Sequence, residues 1–346
     1  MRRPIYLIPL LLCLLAFTFV IPALAVDVPA AKLRGFAPLP AVADSGSNPL
    51  TEEKIALGRL LYFDPRLSRD QKVSCNSCHD LAKYGVDSAP TSTGFRNQHG
   101  GRNAPTVYNA AAHFVQFWDG RAPDVEAQAK GPVMNPIEMA MPSEQHVVKT
   151  LQSIPEYLDR FKKAFPDSKD PVNLTNAAKA IGAFERKLMT PSRWDAFLKG
   201  DRSALTDAEK TGFLKFVEAG CPACHNGSLL GAASYQKLGI AKAYPDLSDG
   251  GVAEVSKKTE DKGRFKVPSL RNITRTGPYF HNGAVPTLDG AITQMSEYQL
   301  GKPLTPADVK SIATFLDSLT GPLPSEYIKP PKLPASTPQT PKPETD

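Results

Sequence analysis

The chain has 346 residues, long enough for two domains with their own cores. Its formal charge of +6 falls to +4 if Arg2 and Arg3 leave with the N-terminal segment, too weak a field to demand nucleic acid or anionic lipid as a partner. The 33 prolines, about twice the usual share, argue for short helices joined by ordered irregular loops and against a large sheet.

Arg2 and Arg3 are followed by a largely apolar run from Ile5 to Val20 and by Ala23-Leu24-Ala25, a small-x-small cleavage pattern. Residues 1–25 therefore read as an export signal, with the mature chain beginning near Val26. The apolar run is nearly long enough for an uncleaved anchor, but Pro9, Pro22 and the Ala-Leu-Ala site favour cleavage. Cys13 follows Leu12, where a lipoprotein acceptor wants a small residue, so it is expected to leave with the signal. Four cysteines then remain.

Residues 26–50, rich in Pro, Ala and Ser, are expected to form an extended lead-in. Helical patterns follow at about 52–62, 144–153, 155–164, 175–188, 206–218 and 306–319. Thr206 with Glu209 makes a capping box, and Thr305-Pro306-Ala307-Asp308 sets a cap, a first-turn proline and an early acid in order. Residues 329–346 read as a Pro/Thr/Lys tail.

All four remaining cysteines fall in Cys75-Asn76-Ser77-Cys78-His79 and Cys221-Pro222-Ala223-Cys224-His225. Each run is a c-type haem attachment signature. Two sulfurs three positions apart can add to the two vinyl groups of one porphyrin, and the next residue offers an imidazole to the iron. A disulfide or half a zinc site is the ordinary reading of one such run; two copies in one exported chain make it a poor one. Export with covalent haem and no spare thiol for cystine points to the bacterial periplasm.

Around these runs lies an internal repeat. Pro105-Thr106-Val107-Tyr108-Asn109 leads to Phe117-Trp118-Asp119-Gly120, and Pro268-Ser269-Leu270-Arg271-Asn272 leads to Phe280-His281-Asn282-Gly283. Proline and final glycine are fifteen positions apart in both. The fold expected is mainly α: two cytochrome c-like haem domains, 26–195 and 196–321, with long ordered loops and little sheet. The boundary is set where Pro191 and Lys199-Gly200-Asp201 interrupt helices. Residues 322–346 form a C-terminal extension, able to pack back on the N-terminal domain and disordered at its end.

The halves differ in what can reach each iron. Met295, in a helical segment after the second strip, offers a thioether, and His/Met ligation raises a haem's potential. Most methionines are core filler, and His281 is a competing ligand. In the first half Gln128 precedes Gly131–Pro142, where Glu138 sits in an apolar, proline-stiffened loop. Desolvation there raises a carboxyl pKa toward the range a proton shuttle needs. Met134, Met139 and Met141 are in the same stretch, and any of them on the first iron would make both haems six-coordinate electron carriers.

With Gly101-Arg102-Asn103-Ala104-Pro105-Thr106, Gln116-Phe117-Trp118-Asp119-Gly120-Arg121-Ala122, Asn135-Pro136-Ile137-Glu138-Met139, Gly277-Pro278-Tyr279-Phe280-His281-Asn282-Gly283 and Tyr298-Gln299-Leu300-Gly301, the chain resembles the bacterial dihaem cytochrome c peroxidases over nearly all of its mature length. The resemblance implies reduction of hydrogen peroxide at the N-terminal haem, His79 being proximal and Gln128 and Glu138 the distal pair. It implies a high-potential C-terminal haem with His225 and Met295 as ligands, and Trp118 between the two. Asn103, Thr276 and Pro278 match a calcium site, Asn103 by its side-chain oxygen and the others by carbonyls. The electron donor implied is a small soluble monohaem cytochrome c or cupredoxin, and calcium-dependent homodimers occur in the family. No nucleic acid and no stable membrane association after signal cleavage are expected. Many members carry a histidine that caps the first iron in the resting enzyme; the matching position here is Phe95, with His99 four residues on. Little or no reductive activation is the expectation that follows. The alternative is a related dihaem oxidase that modifies residues of a partner protein, in which a tyrosine replaces the methionine of the second haem.

Overall fold

The computed structural model describes residues 26–344; the export signal lies outside the described residues. No helix among the described residues is long and apolar enough to cross a membrane. Helices dominate: α1 (Glu52–Phe63), α2 (Cys75–Cys78), α3 (Val125–Met134), α4 (Glu144–Gln152), α5 (Pro155–Ala164), α6 (Leu174–Glu185), α7 (Arg193–Leu198), α8 (Asp207–Ala219), α9 (Ala253–Ser256), α10 (Leu288–Gln294) and α11 (Pro306–Asp317). The sheet among the described residues is one antiparallel pair, β1 (Tyr235–Lys237) with β2 (Arg264–Lys266), in which Tyr235 faces Lys266. The mainly helical expectation holds.

The helix starts follow from local chemistry. The Thr206 and Thr305 hydroxyls accept from the Glu209 and Asp308 amides, and those two carboxylates reach back in complete capping boxes. Two helix pairs then form the cores. α1 packs on α6, and α8 on α11. Each crossing depends on one glycine. A Cβ on Gly58 would stand 1.8 Å from Ala180 O, and one on Gly212 would stand 2.1 Å from Ser311 O. The first core gathers Leu57, Leu61, Tyr157, Phe161, Ile181 and Phe184. The second gathers Trp194, Phe197, Phe213, Phe216, Ile312 and Phe315.

The repeat extends to backbone geometry. Asn109 and Asn272 are left-handed at φ 62° and 59°, Phe117 and Phe280 at 66° and 69°, and Gly120 and Gly283 at 72° and 64°. Isolated bridges Gln116–Ala122 and Tyr279–Val285 close the two turns alike. Between the strips lies Thr190, fully buried. Its hydroxyl accepts from Asn109 Nδ2 at 2.9 Å and from Asn272 Nδ2 at 2.8 Å, so one oxygen ties both strips together.

Two features differ from the sequence expectation. The sequence shows no helical pattern over 125–134 and reads Gly131–Pro142 as a proline-stiffened loop, yet α3 runs from Val125 to Met134. Pro132 instead falls in the last turn, where its missing N–H removes one bond, and Asp124 caps the start by accepting from Ala127 N at 2.7 Å. The lead-in packs on the second core: Val28 is buried there, and Phe36 sets its edge against Trp194 and Phe213 at 5.7 and 5.5 Å. The C-terminal extension packs back along the first core as far as Glu344. Arg66 reaches Ser336 Oγ at 3.0 Å, Gln71 reaches Pro341 O at 2.8 Å, and Arg69 pairs with Glu344 at 2.6 Å.

Candidate active site

Ser74 and Ser77 cap α2 reciprocally, and this single turn sets Cys75 and Cys78 three positions apart on one side. His79 closes the turn, its N–H bonded to Cys75 O at 3.0 Å, and its carbonyl accepts from the Tyr62 hydroxyl at 2.7 Å. In the second motif Gly220, left-handed at φ 96°, ends α8, and His225 N bonds Cys221 O at 3.0 Å. Both histidines are pulled below their ordinary pKa by burial, which keeps the neutral imidazole that binds a metal. His225 Nδ1 lies 3.0 Å from Leu230 O. That carbonyl can only accept, so the proton is on Nδ1 and the Nε2 lone pair is free for iron. None of the four cysteines is in a disulfide, and burial pushes Cys75 and Cys78 upward and Cys221 to about 12. Sulfurs outside any disulfide, beside a neutral imidazole, suit thioether attachment to a porphyrin.

Each motif opens on a cavity. The first is bordered by Cys75, Cys78 and His79 on one side and by Phe117, Arg121, Gln128 and Glu138 among its other walls. The second is bordered by Cys221, Cys224 and His225, and by Met295. Trp118 and Asn103 border both, and the Trp118 indole N–H donates to Asn103 O at 2.9 Å.

Glu138 sits in the loop after α3. Its Oε1 accepts from Asn135 Nδ2 at 2.9 Å. Burial raises its pKa, opposed by the Arg121 charge and by the Asn135 bond. Gln128 is half-buried in α3, one wall of the same cavity. Of the three nearby methionines, Met139 borders this cavity while Met134 and Met141 pack into the first core. Met295 begins a π-helical turn, Met295–Gln299, continuing from α10, and like Trp118, Phe280 and Tyr298 it packs against the cluster of Leu238, Tyr244 and Phe265. His281 is stacked on Phe265 with ring centroids 4.2 Å apart.

The comparisons agree with this arrangement. Residues 52–203 match the family model described as di-haem cytochrome c peroxidase. The cytochrome c551 peroxidase of Pseudomonas aeruginosa is 47% identical over 89% of this chain and 90% of its own. That of Nitrosomonas europaea is 43% identical over 85% of this chain and 87% of its own. Among solved structures, a MauG-like protein associated with microbial copper homeostasis superposes with a TM-score of 0.76 at 27% identity, over 85% of this chain and 97% of its own. The chain belongs to the di-haem cytochrome c peroxidase family.

As a member of this family the chain carries two haems. The first cavity has no histidine among its described lining residues apart from His79. Phe95 is buried outside it, with the Arg69 and Arg96 guanidinium groups over its ring at 5.5 and 5.0 Å, and its amide donates to Glu138 O at 2.8 Å. Gly94 allows this contact, since a Cβ there would stand 2.1 Å from Ile137 O. His99 is exposed.

Asn103, Thr276 and Pro278 all border the second cavity. Asn103 Nδ2 donates to Ala89 O at 3.0 Å and to Pro90 O at 3.3 Å, which leaves its oxygen to accept or to ligate. The donor set is oxygen without carboxylate, and it suits calcium that retains several waters. Four cavity residues drew no attention in the sequence: Arg121, which stacks on Phe117 at 3.4 Å and acts on Glu138; Glu185, which burial lifts to about 8; and the pair His113 and Lys266. Arg121 is signalled only by following the Trp118-Asp119-Gly120 turn.

Proposed function

We propose that this peroxidase reduces hydrogen peroxide to two waters at the first cavity, consuming two electrons and two protons. The electrons enter at the second cavity from a small soluble monohaem cytochrome c or cupredoxin in the periplasm. The observation that carries the reading is the difference between the cavities: Glu138 and Gln128 border the first, Met295 the second.

When bound, the first haem supplies the iron at which the O–O bond is cleaved, with His79 as its proximal ligand. Glu138 takes a proton from one peroxide oxygen and delivers it to the other, which leaves as water. Asn135 holds the carboxylate by its bond to Oε1, so one oxygen stays free to carry the proton. Arg121 lowers the Glu138 pKa against the rise that burial imposes. Gln128 offers an amide to orient the substrate. Met295 and His225 would hold the second haem, which would relay electrons, and Trp118 borders both cavities. Asn103, Thr276 and Pro278 would hold calcium at the second cavity.

Glu138→Gln removes the proton carrier while keeping size and hydrogen bonding. Turnover falls about 10²- to 10⁴-fold with both haem spectra unchanged. Turnover within threefold of the parent would rule Glu138 out as the carrier. Likeness to a MauG-like structure keeps a partner-oxidising enzyme as the second reading. Peroxide-dependent turnover with a reduced cytochrome, and no oxidised partner residues, separates the two.

A further inference from the structure

Lys266 is the last residue of β2 and only 4% exposed. Its Nζ lies 3.1 Å from His113 Nδ1 and 3.2 Å from Val115 O, and its amide donates to Trp118 O at 2.8 Å. It has no carboxylate of its own among the described residues. Asp119, the acid that acts on it, is paired with Arg102 at 2.5 Å and Arg121 at 2.9 Å. Burial pulls Lys266 down to about 8, which leaves it largely an ammonium at neutral pH.

An ammonium donates and never accepts. His113 Nδ1 must therefore be the acceptor, and the ring proton lies on Nε2. That Nε2 is closed to solvent and has no partner. A buried cation without a counter-charge and a buried Nε2–H without an acceptor thus stand side by side, a costly arrangement unless an anion joins them. Both residues border the second cavity and neither borders the first.

We propose that His113 and Lys266 form the anion site that receives a propionate carboxylate of the haem attached at Cys221 and Cys224, and thereby raise that haem's potential. The proposal rests on the two-haem reading of the family. A cation beside the carboxylate offsets negative charge that would favour ferric iron, so its removal lowers the potential. The site spans the repeat: His113 and Val115 come from the first strip and Lys266 from the second half. Through the bond to Trp118 O, the same lysine fixes the residue that borders both haem sites.

The test is spectroelectrochemical titration of the full chain with both haems attached. Lys266→Met shifts the ferrous–ferric equilibrium of the second haem about tenfold toward ferric, a fall of about 59 mV for one electron, and leaves the first haem's midpoint in place. His113→Leu moves the same midpoint in the same direction, and Lys266→Arg restores it. Added acetate leaves the parent unchanged, because the occupant belongs to the haem. An unmoved second midpoint, equal shifts in both haems, or a response to acetate would overturn the proposal. Should Lys266→Met fail to retain two haems per chain, His113→Leu decides on the same criteria. A chain with no haem at Cys221 and Cys224 would overturn the two-haem reading and this proposal with it.

Discussion

Replacing Thr190 by valine tests the claim that one hydroxyl holds the two repeats in register. Valine keeps the shape and removes the acceptor shared by Asn109 Nδ2 and Asn272 Nδ2. The asparagines are 1% and 0% exposed, so neither amide finds water in its place. Each keeps its other anchor, since Thr190 N donates to Asn109 Oδ1 at 2.9 Å and Gly321 N to Asn272 Oδ1 at 3.0 Å. The loss is therefore two unmatched buried donors, each worth about 1–3 kcal/mol, or about 2–6 kcal/mol together. Thr190→Ser keeps the oxygen and gives up one methyl, worth about 0.8 kcal/mol. Urea unfolding followed by far-ultraviolet circular dichroism reads the difference as a shift in midpoint at constant slope. A valine variant within about 0.5 kcal/mol of the serine variant would refute the shared-acceptor argument.

Three further outcomes are expected. The acid limb of kcat/KM lies above the ordinary carboxylate range, because burial raises Glu138 and activity appears only as pH rises through that pKa; Arg121→Ala removes a charge that lowers it and moves the limb to higher pH, while an unmoved limb in the pH–rate profile counts against Glu138. Met295→His replaces a thioether by imidazole, lowers the second haem's midpoint and slows reduction by the donor; an unchanged midpoint means Met295 is not the ligand. Asn103→Ala weakens calcium binding in a calorimetric titration of the chelated enzyme, and equal affinity in both proteins excludes that oxygen as a ligand.

Much of this was legible because local chemistry and the final fold agree. The capping boxes at Thr206 and Thr305 begin helices where the sequence places them. The repeated strips return as matched left-handed turns, down to paired phenylalanines at 117 and 280. What escaped depends on distance or on breakers. Gly131-Pro132 hid α3, the helix carrying Gln128, because the proline falls in its last turn, where it removes one hydrogen bond just before the helix ends. The attachment of the lead-in to the second core rests on a few residues, chiefly Val28 and Phe36, and has no periodicity to read. His113 and Lys266 are 153 positions apart, and only the folded chain brings their nitrogens together.

The account rests on one iron left open to substrate and one closed by His225 and Met295. Electron paramagnetic resonance of the enzyme reduced by a single electron tests it most directly. The expected spectrum has the electron on the second haem and a high-spin or water-ligated ferric first haem, with no change in His99→Ala. A first haem that stays low-spin with a nitrogen or sulfur ligand opposite His79 would contradict it.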